Sequence, residues 1–335
     1  MMQAQPVSVI GAGSWGTALA QQLACQGHAV KLWGRSRDVV ADINHHHCNT
    51  HYLPDLTLSA DISAHTDLEA ALQAVQLVVI AVPCHAFRET ISLVKSYCSD
   101  DTLLSWACKG LEAGSGKRVD EILREEWPGL QRYGVISGPT FAKELAAGLP
   151  TAITVAANNE AASRDIASFL HGGRLRCYTS HDIVGVELGG AIKNVLAIAA
   201  GIADGLQFGA NTRAALVTRG LNEMLKLGEA VGGEQATFYG LAGVGDLILT
   251  CTDDLSRNRQ LGLALGRGKA LQQALSDIGQ IVEGVSTAHE VHRLAQSLDV
   301  DMPICNSVHQ VLYENLSPND AVSSLLNRER KAEDA

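Results

Sequence analysis

No stretch of the 335 residues runs for about 18 uncharged apolar positions, the least a membrane-spanning helix needs. The nearest approach, residues 183–206, is interrupted by Glu187, Lys193 and Asp204, so it reads as a buried helix of a globular protein and no membrane insertion is expected. No CxxC pair occurs among the eight scattered cysteines, a pattern of reduced thiols in a reducing cytosol that points to a cytoplasmic protein. Basic residues are not in excess. Lys and Arg number 26 against 36 Asp and Glu, a net charge of -10, which disfavours a non-specific nucleic-acid binder. An anionic substrate would have to be met by local cations, because the field of the whole chain repels it. Residues 1–6 carry neither a basic n-region nor a small-residue cleavage site, so no signal peptide is expected. Internal repeats and low-complexity linkers are also lacking.

What is there suits a chain of two domains, since 335 residues is long for one core. In the first half, short β-branched or apolar runs at residues 7–10, 30–33, 77–82, 102–107, 133–137, 152–156 and 175–178 predict strands. Helical spacing lies between most of them, at 17–26, 68–74, 86–97, 119–126, 142–147 and 161–170. This alternation predicts an α/β domain over 1–181, a Rossmann-like, doubly wound, mainly parallel sheet. From residue 182 to 327 the pattern is helical, which predicts an all-helical second domain over 182–335. Helices are expected at 183–204, 213–231, 244–250, 257–265, 271–278, 287–297, 306–314 and 319–327. Pro303 and Pro318 stand where helices begin, and the mixed-charge tail 328–335 is expected to fray.

Gly11-Ala12-Gly13-Ser14-Trp15-Gly16 matches GxGxxG between a predicted strand and a predicted helix. In that setting Gly11 allows the tight turn, Gly13 lets a pyrophosphate approach the backbone, and Gly16 lets the helix pack on the strand. The helix start then offers its unpaired amides to phosphate. A site specific for NAD usually ends the second strand in Asp or Glu. Here it ends Leu32-Trp33-Gly34-Arg35-Ser36-Arg37, and arginine suits a 2′-phosphate, so NADP is expected to be accepted. The alternative is that both arginines are solvated loop residues.

Lys193-Asn194 sits inside the apolar segment 183–204. Burying an ammonium is unfavourable and lowers its pKa, which marks Lys193 as a candidate general acid or base. The plainer reading is a paired or snorkelling lysine. Gly189-Gly190 would admit another backbone or a ligand nearby. Lys109 follows the strand at 102–107, at the carboxyl end where open α/β sheets bind ligands. Asp246 stands at a helix start, and Ser256-Arg257-Asn258-Arg259 at another, where an arginine fork beside unpaired amides suits phosphate. A simple acid in a helix's first turn explains Asp246 equally, and a capped, solvated turn explains the other. Two features are discounted. His45-His46-His47 with His51 lacks ligand spacing, and Gly114-Ser115-Gly116-Lys117 lacks the full P-loop spacing and reads as a turn, so no metal is expected.

Taken in order, Val9-Ile10-Gly11-Ala12-Gly13-Ser14-Trp15-Gly16-Thr17-Ala18, Lys109-Gly110-Leu111-Glu112, Ile136-Ser137-Gly138-Pro139-Thr140-Phe141-Ala142, Leu188-Gly189-Gly190-Ala191-Ile192-Lys193-Asn194, Gly243-Val244-Gly245-Asp246-Leu247 and Ser256-Arg257-Asn258 form a pattern. Over residues 7–327 the chain resembles the bacterial NAD(P)-dependent sn-glycerol-3-phosphate dehydrogenases. The resemblance implies that Lys193 is the catalytic proton carrier. It places Lys109, Gly138, Thr140, Lys193, Asp246, Ser256, Arg257 and Asn258 in a site for a small phosphorylated substrate. It adds Ser14, Trp15, Arg35, Lys109, Ala142, Arg257, Val282 and Glu283 to Gly11, Gly13 and Gly16 in the NAD(P) site. It also implies a supply of glycerol 3-phosphate to phospholipid synthesis and is consistent with a homodimer. A related dehydrogenase of hydroxy or keto acids, or a non-catalytic dinucleotide sensor, stays open as an alternative.

Overall fold

The computed structural model describes residues 5–328; the expected fraying beyond Arg328 and the first four residues of the chain start lie outside them. Eight strands, β1 (Val7–Ile10), β2 (Val30–Trp33), β3 (Ile62–His65), β4 (Leu77–Ile80), β5 (Leu103–Trp106), β6 (Arg132–Ser137), β7 (Thr151–Ala157) and β8 (Leu175–Ser180), form one sheet. Its order is β3-β2-β1-β4-β5-β6-β7-β8, and every pairing is parallel except β6 with β7. Among the described residues seven α-helices and a short 3-10 turn (Cys84–Ala86) accompany it: α1 (Ser14–Cys25), α2 (Arg37–His46), α3 (Leu68–Leu72), α4 (Phe87–Lys95), α5 (Val119–Glu126), α6 (Ala142–Ala146) and α7 (Glu160–Leu170). The rest is helical among the described residues: α8 (Ile183–Gly205), α9 (Gly209–Ala230), α10 (Gln235–Phe238), α11 (Asp246–Thr252), α12 (Arg257–Gly266), α13 (Leu271–Ile278), α14 (Glu283–Ser297), α15 (Pro303–Tyr313) and α16 (Pro318–Leu326).

The central strands are buried on both faces, and their period of two divides the core. Val7, Val9, Leu77, Val79 and Leu103 enter one apolar cluster, while Ile10, Val78, Ile80, Leu104 and Trp106 enter the cluster on the opposite face. A third cluster gathers around α8 in the helical half. By length and composition α8 could cross a membrane, yet it is buried among the other helices. Pro303 and Pro318 open α15 and α16 as expected. Three elements were not expected. In β3, Ile62-Ser63-Ala64-His65 has a single β-branched residue and lies at a sheet edge; α2 is rich in Asp, Asn and His; α10 is one turn long.

After β3 the chain returns to place β4 on the other side of β1, so the carboxyl ends of β1 and β4 diverge into a crevice. The helical half packs over that end of the sheet, and a cleft of about 940 Å³ runs between them.

Candidate functional site

The three glycines of the first loop do different work. Gly11 has φ +123°, and a Cβ there would lie 2.7 Å from the Ala81 carbonyl oxygen. At Gly16 it would lie 1.8 Å from the Gly11 carbonyl oxygen, so α1 can approach β1 only without a side chain. Nothing stands within 4 Å of a Cβ at Gly13, whose backbone faces the open cleft. No side chain caps α1, so its first amides are available to an anion. Ser14 Oγ donates to the Tyr52 carbonyl at 3.0 Å, and Trp15 Nε1 is buried with no protein acceptor. Arg35 and Ser36 line the cleft where β2 ends, whereas Arg37 begins α2. Ala142 lines the opposite wall with Thr140, whose hydroxyl is also buried and unpartnered. An unhindered backbone, unpaired helix amides, two orphaned polar groups and a cation where β2 ends fit a dinucleotide.

Sequence reasoning missed the loop that closes this wall. His51, Tyr52, Leu53 and Pro54 line the cleft. Buried Asn49 pins them by donating to the Ala12 carbonyl at 3.0 Å and to Thr17 Oγ1 at 2.8 Å. A lone Asn between His-rich and Pro-containing segments carries no local signal. The histidines disperse: His46 meets Asp42 at 3.1 Å, His47 ends α2 in the left-handed region, and His51 packs on Tyr52. Gly114 to Lys117 forms a turn closed by Gly116 N–H on the Glu112 carbonyl.

At the other end of the cleft three elements converge. Lys193, buried in α8, donates to Asp246 Oδ1 at 2.7 Å and to Thr250 Oγ1 at 2.9 Å. Lys109 donates to Asp246 Oδ2 at 2.7 Å and to the Gly138 carbonyl at 3.3 Å. One fully buried carboxylate thus holds two ammonium groups and leaves one net positive charge. Burial pushes the Asp246 pKa up, but the Lys109 and Lys193 charges outweigh it and hold it below the ordinary carboxylate value. Burial lowers the Lys193 pKa, Asp246 raises it and Lys109 lowers it again, leaving it at about 8.

Glycines make this convergence possible. A Cβ at Gly189 would lie 2.5 Å from the Ala242 carbonyl oxygen, and one at Gly190 would lie 3.3 Å from Lys109 Cγ. The expected close approach at this pair is therefore made by a backbone and by the Lys109 stem. Farther along α8, Gly201 and Gly205 face Gly262 and Gly266 of α12. A Cβ at Gly262 would sit 2.1 Å from the Ile198 carbonyl oxygen, so the two backbones touch. That crossing brings the first turn of α12 beside Lys193-Asn194. Asn258 donates to Asn194 Oδ1 at 2.9 Å and accepts from Gly284 N–H at 2.9 Å; Asn194 donates to the Lys109 carbonyl at 3.4 Å.

Ser256 caps α12 by accepting from Arg259 N–H at 3.3 Å. Arg257 is exposed on the cleft wall, where it meets the neutral Gln280 side chain at 3.3 Å. Arg259 does not join it: it is buried and paired with Asp204 and Asp254. Glu283, at the first position of α14, lines the cleft. Its burial raises its pKa against the opposing pull of Arg257, Lys109 and Lys193. Val282 is buried behind it in the helical core, and Gly138, Asp246 and Gly16 lie beneath the cleft wall and not on it. Among the described residues no group of three or more His, Cys, Asp or Glu is placed to hold a metal.

A cleft with a phosphate-ready loop at one end and a buried lysine at the other is an arrangement for dinucleotide-dependent hydride chemistry. Residues 6–163 match the family model for the NAD-dependent glycerol-3-phosphate dehydrogenase N-terminus, and residues 182–323 match its C-terminus. The chain is 53% identical, over 99% of its length and 100% of the relative's, to the glycerol-3-phosphate dehydrogenase [NAD(P)+] of Thioalkalivibrio sulfidiphilus. It is 50% identical, over 98% of both chains, to that of Aeromonas salmonicida. The crystal structure of the Coxiella burnetii glycerol-3-phosphate dehydrogenase superposes with a TM-score of 0.93 at 46% identity, covering 97% of this chain and 99% of that one. D-mandelate dehydrogenase, at 14% identity and a TM-score of 0.65, shares the fold alone. The chain belongs to the NAD-dependent glycerol-3-phosphate dehydrogenase family.

Proposed function

We propose that the chain interconverts sn-glycerol 3-phosphate and dihydroxyacetone phosphate with NAD(P), as a cytoplasmic enzyme that supplies glycerol 3-phosphate to phospholipid synthesis. The observation that carries this is the buried Lys193–Asp246–Lys109 cage at the end of a cleft that begins in a dinucleotide-binding glycine loop. The proposed division is a dinucleotide domain over 1–181 and a substrate domain over 182–335. Gly11, Gly13, Ser14, Trp15, Arg35 and Ala142 would hold the dinucleotide, with Arg35 favouring NADP. When bound, the nicotinamide supplies or accepts the hydride at the substrate's carbinol carbon.

The residues of the chain do the rest. In reduction, negative charge grows on the ketone oxygen of dihydroxyacetone phosphate. Lys193 stabilises it and delivers its proton there; in oxidation the neutral amine takes the proton back. Asp246 and Thr250 fix the direction in which the Lys193 ammonium points. Burial, with Lys109 adding a second positive charge nearby, keeps the Lys193 pKa low enough to exchange a proton near neutral pH. Arg257 and the first amides of α12 hold the substrate phosphate and so fix the reacting carbon. A homodimer is proposed from the family resemblance and the apolar helical half.

The test is NADPH absorbance loss on adding dihydroxyacetone phosphate, with unphosphorylated dihydroxyacetone as control. Oxidation that requires the phosphate is expected. Equal rates with both would overturn the anion pocket, and turnover of a hydroxy or keto acid in its place would overturn the substrate. Binding of NADPH with no turnover of any of these would leave the sensor.

A further inference from the structure

Glu187 lies six residues before Lys193 on α8, about 9 Å along the axis. Nothing in the chemistry above uses it, yet it is a buried carboxylate in an otherwise apolar stretch. Its Oε1 accepts from the indole Nε1 of Trp106 at 2.8 Å and from the backbone amide of Asp120 at 3.1 Å. Arg118 Nε stands 3.8 Å from Oε2, which has no hydrogen-bond partner. Trp106 is the last residue of β5, fully buried, three residues before Lys109. Asp120 lies in the first turn of α5 and is itself held by Arg118 and Arg124. One carboxylate of the helical half thus grips β5 and α5 of the sheet half.

Adhesion alone does not call for it. Val186 and Ala242 already join the apolar cluster on this face of the sheet. Burial, and then the Asp120 carboxylate, push the Glu187 pKa well above the ordinary range, so the group is held there against its solvation. Apolar contacts tolerate sliding; a directional bond between an indole and a carboxylate does not. β5 runs straight on to Lys109 and α8 straight on to Lys193, and the two ammonium groups must reach the two oxygens of Asp246 at 2.7 Å each.

We propose that Glu187, through Trp106, is a positioning residue that sets the register between β5 and α8 and so holds Lys109 and Lys193 together on Asp246. This rests on the reading of Lys193 as the proton carrier. The test compares wild type, Glu187→Leu, Glu187→Gln and Trp106→Phe in steady-state reduction of dihydroxyacetone phosphate, with NADPH affinity and thermal melting measured alongside. Glu187→Leu is expected to lower kcat by about tenfold to a hundredfold, the usual result of misplacing a catalytic group by ~1 Å, with NADPH affinity unchanged. The pH at which its reduction rate falls should move upward, because Lys109, displaced with β5, no longer depresses the Lys193 pKa, while Asp246, carried with α8 by the Gly189–Ala242 contact, still raises it. Glu187→Gln keeps an acceptor for the indole and should recover most of the turnover. A lower melting temperature with kcat, KM and pH profile as in wild type would mean a structural role only and overturn the proposal. Should Glu187→Leu fail to fold, Trp106→Phe decides by the same readouts, since it removes the indole donor and keeps the carboxylate. An inactive wild type overturns the functional reading and this assignment with it; an active wild type with unchanged variants overturns this assignment alone.

Discussion

The sheet half and the helical half meet at one cleft but build their ends of it from different materials. The sheet half presents mostly backbone, a glycine turn, uncapped amides and a few orphaned side-chain groups, with Arg35 beside them and Lys109 reaching to the other end. The helical half presents charge: buried Lys193 and Asp246, with Arg257 at the rim. Backbone sites depend on glycines whose spacing is local, and six residues suffice to write one. Charge sites depend on helices far apart in sequence, and here they are made by helices that touch. The same residue type serves both halves differently: Gly13 keeps the wall open, while Gly262 lets α12 lie against α8.

This contrast can be broken most severely at Lys193. Lys193→Ala should lower kcat by about 10²–10⁴-fold, the usual range for general acid catalysis, with NADPH affinity little changed by fluorescence titration. A joint loss of both would show that the two ends are not separable. Gly16→Ala should do the reverse. Its Cβ would meet the Gly11 carbonyl oxygen, destabilising the fold by about 1–3 kcal/mol and weakening dinucleotide binding before it touches the chemistry. Melting and NADPH titration would show it.

A subtler change sharpens the comparison within the helical half. Gly262→Ala pushes α12 away from α8, strains the Asn258–Asn194 bond and displaces Arg257. The KM for dihydroxyacetone phosphate should rise by up to about tenfold, the cost of one weakened polar contact, while NADPH affinity holds. The smallest effect is expected at Arg35. Arg35→Ala should raise the KM for NADPH a few-fold and leave that for NADH alone, since an exposed cation contributes little more than about 1 kcal/mol. Equal changes for the two cofactors would remove Arg35 from the 2′-phosphate.

The same contrast explains what the sequence disclosed. The glycine loop, the buried strands at 77–80 and 103–106 and the apolar helix around Lys193 announce themselves, because each is a local anomaly of composition. Lys109 and Asp246 were visible as residues at element ends, but nothing local says that they share one another's charge with Lys193. That depends on Gly189-Gly190 admitting the 242–246 segment and the Lys109 stem. Asn49 and the wall at 51–54 were silent, since a loop's packing partner is set by the tertiary fold. Arg259 stood in the same basic cluster as Arg257 and turned inward, because Asp204 lies across the α8–α12 crossing.

The most direct test of the central claim is the pH dependence of kcat in both directions at saturating cofactor. The Lys193 pKa of about 8 sets the sign. Reduction needs the ammonium, so its rate should be level at lower pH and fall as pH rises through about 8. Oxidation needs the neutral amine and should rise through the same region. Opposed limbs crossing there would support Lys193 as the proton carrier. A reduction rate that rises through that region, or two profiles that move together, would contradict it.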